Sequence, residues 1–556
     1  MRRRADLLLL LAPVLLGGSS TLPAATPVPS GPLRVGVATH FDQGWSLSLM
    51  DRLGGLRLRA IRDDLPWGKV EHAPGEYDFS GPSAAYVARA CAQGVKLLLM
   101  IDPRHQAYDG NASVYSPTAQ VAYAAYLSAV LDHYGSNCVA AIEVGNEINA
   151  GDPRLPPGVS IARVHASLLK TVSQLVKPRY PEVRILGGSS NMVATGFEDE
   201  LFAHGALAHL DGVAVHPYRD HPEGLDDELA RLVAVMRRHG QVKPIWATEI
   251  GDEVDDPRAA ASLLVRMLCL LGAEPDLAAI YWYALIDEPY FRNTGLMTPQ
   301  ARIKPAGEAM LAVNRHLLPK GRPVRLHGQD RSVYVYRFGR DSYVLWGVPR
   351  AVRIEGPGRI FDAQGRPLPA LTSLSSDPVI VVGATQVVVG DGPVLADSLY
   401  QYGAPPWHYY GRRRSGEMLP LRSIDWTWSS YWGDPDLRPL AIGGTSATPA
   451  GDPGNPLAAT VRYTAAASGP AAISACFAKA PRGDGVTVAI LHNGRPLRAA
   501  VLRDRLAIAA LPVRLAAGDR LDFAFGPHGT ADGDALTYRI RLLKPGAGEG
   551  AAAPCA

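Results

Sequence analysis

Between Leu33 and Ile286, short and continuously apolar runs alternate with longer stretches in which apolar residues recur at helical spacing. The runs predict strands over Leu33–Phe41, Leu56–Asp63, Val95–Asp102, Val139–Glu147, Val183–Ser189, Leu210–Tyr218, Pro244–Glu249 and Ala278–Ile286. A strand that is apolar on both faces belongs to a parallel sheet covered by helices on each side. The intervening segments carry helical punctuation. Ser116-Pro117 offers an N-cap and a proline at the first helical position ahead of Val121–Tyr134. Asp226–His239 sets Leu229, Leu232, Val233 and Met236 on one face before Gly240 ends it. Eight strand–helix repeats over about 280 residues predict an α/β chain, a (β/α)8 TIM barrel. The rival open, doubly wound sheet would place a glycine-rich phosphate loop after its first strand, and none stands there.

After Pro319 the pattern changes. Ser332–Phe338, Ser342–Trp346 and Val379–Val382 are strand-like runs between Gly/Pro/Asp turns, which predicts a small antiparallel β domain over 319–395. A turn-rich break at Gly390–Pro406 precedes a second β-rich region. There Ala458–Tyr463, Ala471–Phe477, Val486–His492, Leu511–Leu515, Arg520–Phe525 and Thr537–Leu543 predict a β-sandwich over 396–546. The Gly/Ala-rich residues 547–556 read as a disordered tail. At the other end Arg2–Arg4, the apolar Leu7–Leu16 and the small residues near Ala24-Ala25 read as a signal peptide and linker over 1–30, ahead of a barrel domain over 31–318. Export to a periplasm or to the medium is the expectation, with no integral membrane span after signal removal.

The 556 residues carry a net charge of +3 and are 47% hydrophobic, a balance with no basic cluster that would call for nucleic acid. Five cysteines leave at least one unpaired. Cys91 and Cys138 each precede a predicted strand, so an oxidising compartment would permit their pairing, and Cys269 reads as a buried thiol. No spacing resembles a zinc site, and neither a metal nor another cofactor is expected.

Two of the apolar runs end in a glutamate, Val139–Glu147 and Pro244–Glu249. A carboxylate is costly beside a buried strand, but at its carboxyl end it faces the crevice where such folds hold their active sites. Strand alternation groups residues 141, 143, 145 and 147 on one face, opposite Ile142 and Val144, which must meet the helices. Glu143 and Glu147 therefore point inward. Glu143 reads as a buried charge paired with an inward-facing Arg. Ala247 and Glu249 share a face by the same count, and alternation alone does not say which face is inward. Two carboxyls over one barrel mouth suggest acid/base and nucleophilic work on a glycosidic bond.

Asn146-Glu147 ending strand four, with Glu249 ending strand seven, resembles the retaining glycoside hydrolases of clan A. The stretch Arg62–Phe79, with Arg62, Trp67, Val70-Glu71 and Pro74-Gly75-Glu76-Tyr77-Asp78-Phe79, is similar to the segment after strand two of glycoside hydrolase family 39 and its relatives, which include secreted enzymes that cut bacterial exopolysaccharides. The resemblance covers about Leu33 to Leu317. Gly145 and Ile148-Asn149 depart from the aromatic residue and the Pro-Asn that many members carry.

The resemblance implies Glu147 as general acid/base and Glu249 as nucleophile in cleavage of a polysaccharide or oligosaccharide. It implies substrate-contacting roles for His216, Tyr218 and Trp282. Arg62 would hold Glu249 ionised, a drier setting would keep Glu147 protonated, and Asn146 would bond the sugar 2-hydroxyl. His40 and His105, at a strand end and in a following loop, are candidates to line the cleft, whereas Trp67 reads as a loop anchor. A transglycosylase of the same mechanism and a non-catalytic glycan-binding protein remain as alternatives, and an α-L-iduronidase-like substrate lies within the resemblance. In the C-terminal region Trp407, Tyr409, Tyr410, Trp426, Trp428, Tyr431 and Trp432 form an aromatic group with two readings: a carbohydrate-binding surface, or filling for the sandwich core and its seam with the barrel.

Overall fold

The computed structural model describes residues 33–326, 330–452 and 454–555. The signal peptide expected over 1–30 lies outside them. Eight parallel strands close a barrel: β1 (Arg34–Ala38), β2 (Ala60–Asp64), β3 (Lys96–Ile101), β4 (Val139–Val144), β5 (Arg184–Asn191), β6 (Gly212–His216), β7 (Ile245–Ile250) and β8 (Leu277–Trp282). Neighbours pair in chain order, and β8 closes on β1 with Val37 beside Trp282. Seven helices cover it: α1 (Ala85–Ala92), α2 (Pro117–Tyr134), α3 (Ile161–Val176), α4 (Thr195–Ala203), α5 (Leu225–Arg238), α6 (Pro257–Ala273) and α7 (Pro305–His316). A ten-residue 3-10 segment, Leu47–Leu56, stands after β1 where another helix would be. The Ser116 hydroxyl caps α2 by accepting from the Ala119 amide at 3.3 Å.

Large and small side chains share the floor of the barrel. Ala60, Ala141, Ala214 and Ala279 pack with Leu98, Leu186, Trp246 and Tyr281. Two glycines make the large rings possible. A Cβ on Gly36 would stand 2.5 Å from the Tyr281 ring, and one on Gly212 would stand 2.7 Å from the Trp246 ring. This layer closes the lower barrel, so only its carboxyl-terminal mouth is open to chemistry.

A six-stranded antiparallel sheet built on Val333–Phe338, Ser342–Gly347 and Val379–Val382 packs into the same core as the barrel helices. Trp346 of this sheet donates to Glu223 of the barrel at 2.9 Å. Beyond it, two antiparallel sheets enclose a second core containing Trp407, Tyr409, Phe523 and Phe525.

Disulfides join Cys91 to Cys138 and Cys476 to Cys555, and Cys269 is a buried free thiol. The second bridge corrects the reading of a disordered tail, because residues 547–555 are tied down. Arg541 donates to the carbonyls of Ala551 at 3.2 Å and Ala552 at 2.8 Å, and the Ala553 amide bonds the Ser474 hydroxyl at 2.9 Å. Composition alone misjudged a segment whose order comes from one cysteine and one arginine. No helix among the described residues is long and apolar enough to cross a membrane.

Candidate active site

Above the apolar floor, a layer of buried polar groups fills the barrel. On β2, Ala60 faces inward and Ile61 faces the helices, so alternation turns Arg62 inward. On β4, Ala141 and Glu143 face inward in the same way. Arg62 Nε donates to Glu143 Oε2 at 2.6 Å, and the Thr248 hydroxyl donates to Glu143 Oε1 at 2.8 Å. Burial opposes charge on Glu143, but Arg62 and then His216 outweigh it and hold the carboxyl down at about 2. Glu143 is thus the buried partner of an arginine.

The arginine's second nitrogen, Nη1, donates to Glu249 Oε1, and its third, Nη2, donates to Asn146 Oδ1 at 2.9 Å. One guanidinium therefore joins a structural acid, a cleft acid and the asparagine before Glu147, using the fork geometry that makes arginine hard to replace. Glu249 reaches this position through a β-bulge. Ile280 and Trp282 of β8 pair with Ala247 and Ile250 of β7, so β7 carries one extra residue there. Ala247 faces the helices while Glu249 enters the mouth, and the shared face expected from simple alternation is broken.

The Tyr218 hydroxyl donates to Glu249 Oε2, and His216 Nδ1 lies 3.7 Å from the same oxygen. Burial penalises the Glu249 carboxylate, but His216, Arg62 and the Tyr218 bond together lower its pKa below the ordinary value. Tyr218 itself is raised well above 10 by burial and by the Glu249 charge, so it remains a donor. His216 is wholly buried, which favours the neutral ring, yet Glu249, Glu143 and Glu147 raise it to about 9.

Glu147 is placed differently. β4 ends at Val144, and the chain turns through Gly145 at φ 84° and Glu147 at φ 47°. A Cβ on Gly145 would stand 2.5 Å from the Ile148 side chain, so glycine fits both the turn and the packing. The left-handed backbone at Glu147 costs roughly 1–3 kcal/mol, strain of a kind that gathers at functional sites. Asn191, at the end of β5, donates to Glu147 Oε1 at 2.7 Å, and His216 Nδ1 lies 3.4 Å from that oxygen. Carboxylate oxygens of Glu147 and Glu249 and a ring nitrogen of His216 all lie within 4.8 Å of one another.

A cavity of about 530 Å³ opens over these groups. Arg62, Asn146, Glu147, Tyr218, Glu249 and His40 line it together. His40 bonds the Tyr283 hydroxyl at 3.0 Å, and burial lowers its pKa to about 4, so it is neutral. His216 lies directly beneath the two cleft acids.

Trp282 and His105 do not reach the cavity. Trp282 packs with Ile280 between strand and helices and donates to the Thr294 carbonyl at 2.7 Å. Tyr281 shares the inward face of β8 with Ala279, and Tyr283 follows it into the cavity two residues later. His105 bonds the Glu71 carbonyl at 2.9 Å and packs on Trp67, whose indole donates to Glu71. His105 and Trp67 secure the loop after β2, and Trp282 holds the segment after β8.

Tyr283, Asn191, Asp64 and Asp252 also line the cavity and were not anticipated. Asp64 and Asn191 are the last residues of β2 and β5, a position that could have singled them out. Burial raises Asp64 to about 7 despite Arg62, and raises Asp252 to about 6.

Among the described residues two sets of groups are close enough to hold a metal ion: Glu147 with His216 and Glu249, and His40 with Asp42 and Asp64. In the first set His216, held up at about 9 by the acids around it, is charged at neutral pH and lies between the two cleft acids.

No protein-family model matches the sequence, and no curated protein matches it. Solved structures do. A family 39 glycoside hydrolase from the gut symbiont Bacteroides cellulosilyticus WH2 superposes with a TM-score of 0.51 at 21% identity, over 63% of this chain and 81% of that one. A GH39 β-xylosidase from Caulobacter crescentus gives 0.47 at 16% identity, over 65% of this chain and 98% of that one. A GH39 enzyme from Xanthomonas axonopodis pv. citri gives 0.44 at 15% identity, over 91% and 96%. At these identities the likeness is one of fold: the chain has the fold of the family 39 glycoside hydrolases of clan A.

Proposed function

We propose that the protein is an exported retaining glycoside hydrolase that cleaves β-glycosidic bonds in a polysaccharide, with an exopolysaccharide as the substrate class. One observation carries the reading: Glu147 and Glu249 meet across a cavity with carboxylate oxygens within 4.8 Å. Retaining enzymes need their two carboxyls about 5–5.5 Å apart, whereas inverting enzymes leave roughly 6.5–9.5 Å for a water molecule.

Glu249, kept ionised by His216, Arg62 and Tyr218, attacks the anomeric carbon. Glu147 donates its proton to the departing oxygen, and a covalent glycosyl–Glu249 ester results. Glu147, now ionised, draws a proton from water, which attacks the same carbon and releases the sugar with its configuration retained. Asn146 gives its oxygen to Arg62, which leaves its Nδ2 to donate to the sugar 2-hydroxyl, a bond that strengthens as charge develops on the ring.

The charges around the cavity favour an uncharged sugar at the cleavage point. Asp64, Glu147, Glu249 and Asp252 line it, and the one arginine beneath is committed to Glu143, Glu249 and Asn146. A uronate there would meet these acids, and among the described residues that line the cavity no cation is free of a carboxylate partner, which weighs against an iduronidase-like substrate. The two disulfides support export, because such bridges persist in oxidising compartments.

The test is a screen of purified protein against xylan, glucomannan, purified bacterial exopolysaccharides and aryl β-glycosides, with Glu249→Gln as control. Anomeric proton spectra recorded during the first turnovers should show the retained configuration. Cleavage that persists in the control, or an inverted first product, would refute the mechanism.

A further inference from the structure

We propose that the C-terminal sandwich completes the substrate cleft, its hairpin tip Trp426-Thr427-Trp428-Ser429 forming a sugar-binding wall on the leaving-group side of Glu147. The inference rests on the glycosidase reading and extends it from one sugar to a polymer chain.

The tip joins the paired strands Arg422–Asp425 and Ser430–Gly433 and is seated on the barrel mouth. The Gly196 amide, at the start of α4, donates to the Trp426 carbonyl at 3.1 Å, and the Thr195 hydroxyl donates to Asp425 Oδ1 at 2.9 Å. A Cβ on Gly196 would stand 2.7 Å from the Trp426 carbonyl carbon, so the two backbones are as close as glycine allows. Asn149, two residues beyond Glu147, donates to the Thr427 carbonyl at 2.8 Å. Its Oδ1 accepts from the Asn191 amide at 2.9 Å, and Asn191 is the residue that holds Glu147. The hairpin tip is thus linked to the acid/base by two side chains. Since Glu147 protonates the departing oxygen, sugars beyond that oxygen extend toward this side.

A second cavity, of about 410 Å³, lies where the hairpin meets the barrel. The hairpin contributes Ser423, Ser429 and Ser430, and the barrel contributes Met192 and Arg219. Met192 and Arg219 directly follow Asn191 and Tyr218, which line the catalytic cavity, so the second cavity is bounded by the residues next in sequence to those of the first. Hydroxyls and charged groups in such a hollow suit a polyhydroxylated chain.

The exposed aromatics agree. Among the described residues four aromatic side chains are strongly exposed: Tyr115, Tyr290, Trp426 and Trp428. Tyr115 follows β3 and Tyr290 follows β8, so all four stand at the mouth of the barrel. Of the rest of the C-terminal aromatic group, Tyr431 and Trp432 line the second cavity and the others are spent elsewhere. Trp407 and Tyr409 fill the sandwich core, and Tyr410 lies 4.8 Å beneath the Arg462 guanidinium. Exposed indoles offer broad apolar faces to sugar rings at little cost in side-chain entropy.

Trp426→Ala and Trp428→Ala test this in the full-length protein, with Leu497→Ala as a control on an exposed sandwich strand away from the hairpin. The measurement is kcat and KM on the polysaccharide that the wild type cleaves best and on the smallest aryl glycoside it cleaves. Each Trp variant should raise KM for the polymer about tenfold, the scale of losing an aromatic anchor. The loss in kcat/KM should be several times larger on the polymer than on the aryl glycoside, and absent in Leu497→Ala. Equal losses on both substrates, or no change on the polymer, would overturn the inference and leave the glycosidase intact. A wild type that cleaves nothing in the screen would overturn both.

Discussion

The two cleft acids sit in contrasting surroundings. The Glu249 side chain is 10% exposed, whereas that of Glu147 is 31% exposed. Arg62 and Tyr218 donate to Glu249 and Asn191 donates to Glu147, while His216 Nδ1 is shared between them, 3.7 Å from Glu249 and 3.4 Å from Glu147. The order is the reverse of a dry acid and a wet base. A nucleophile must stay ionised and aimed, so it is clamped by donors. An acid/base must exchange its proton with a leaving group and then with water, so it stands where water and aglycone can reach it. Selective donation to one carboxylate, more than burial of the other, separates their tasks.

Removing each acid is the strongest way to test that contrast. Glu249→Ala should lower turnover roughly 10⁴-fold or more, because no intermediate can form. Added azide should restore turnover, giving a glycosyl azide of inverted configuration. Glu147→Ala should cost roughly 10²–10⁴-fold on polysaccharide and less on an aryl glycoside, whose leaving group needs no proton. Here azide should intercept the ester and give the retained configuration. The same azide product from both variants would break the assignment of roles.

The next largest effect should come from the arginine shared by both sides. Arg62→Ala leaves Glu143 buried without its cation and strips Glu249 of one donor. Breaking a buried pair of this kind costs about 3–5 kcal/mol of stability. Denaturant unfolding should show that loss, and Arg62→Lys should recover part of the stability but little of the activity, since an ammonium cannot bridge Glu143, Glu249 and Asn146 at once. Unfolding curves that match wild type in Arg62→Ala would mean that the network is not what stabilises the upper barrel.

Where sequence reading succeeded and failed follows from how each residue is specified. All eight strands were legible because helices cover their outer face and packed side chains fill the barrel on the inner one, which together demand near-continuous apolar runs. The inward turn of Glu143 was legible too, since Ile142 and Val144 beside it mark the opposite face, whereas Arg62 was singled out by the resemblance. β8 has no such mark. Every residue of Leu277–Trp282 is apolar, and a register shift between Leu277 and Ala279 resets the alternation. The resemblance placed Trp282 in the cleft, no pattern in β8 stood against it, and Tyr283 was overlooked. The orientation of Glu249 depends on the bulge in β7, which no local pattern announces. In the sandwich, the exposed strand Arg495–Leu502 escaped notice because an edge with polar or solvent-facing residues lacks the apolar run that identifies a strand. The hairpin tip is the furthest case. Trp426 and Trp428 are visible as aromatics, but their nearness to Glu147 comes from contacts spanning more than two hundred residues.

The smallest effect concerns the cation between the two acids, and its sign separates the alternatives. His216 is raised from 6.5 to about 9, so the stability it adds is complete below 6.5 and declines as pH rises through about 9. Glu249 and Glu143 are lowered from 4.5, so their contribution is complete above 4.5 and declines as pH falls, for Glu143 toward about 2. Thermal unfolding of wild type and His216→Asn between pH 5 and pH 10 should therefore show a gap that is widest near pH 6 and narrows on the alkaline side. A gap that stays constant across that range would mean a neutral ring at position 216. The difference between the two acids would then have to come from Arg62 and Tyr218 alone, the groups that touch Glu249 and leave Glu147 free.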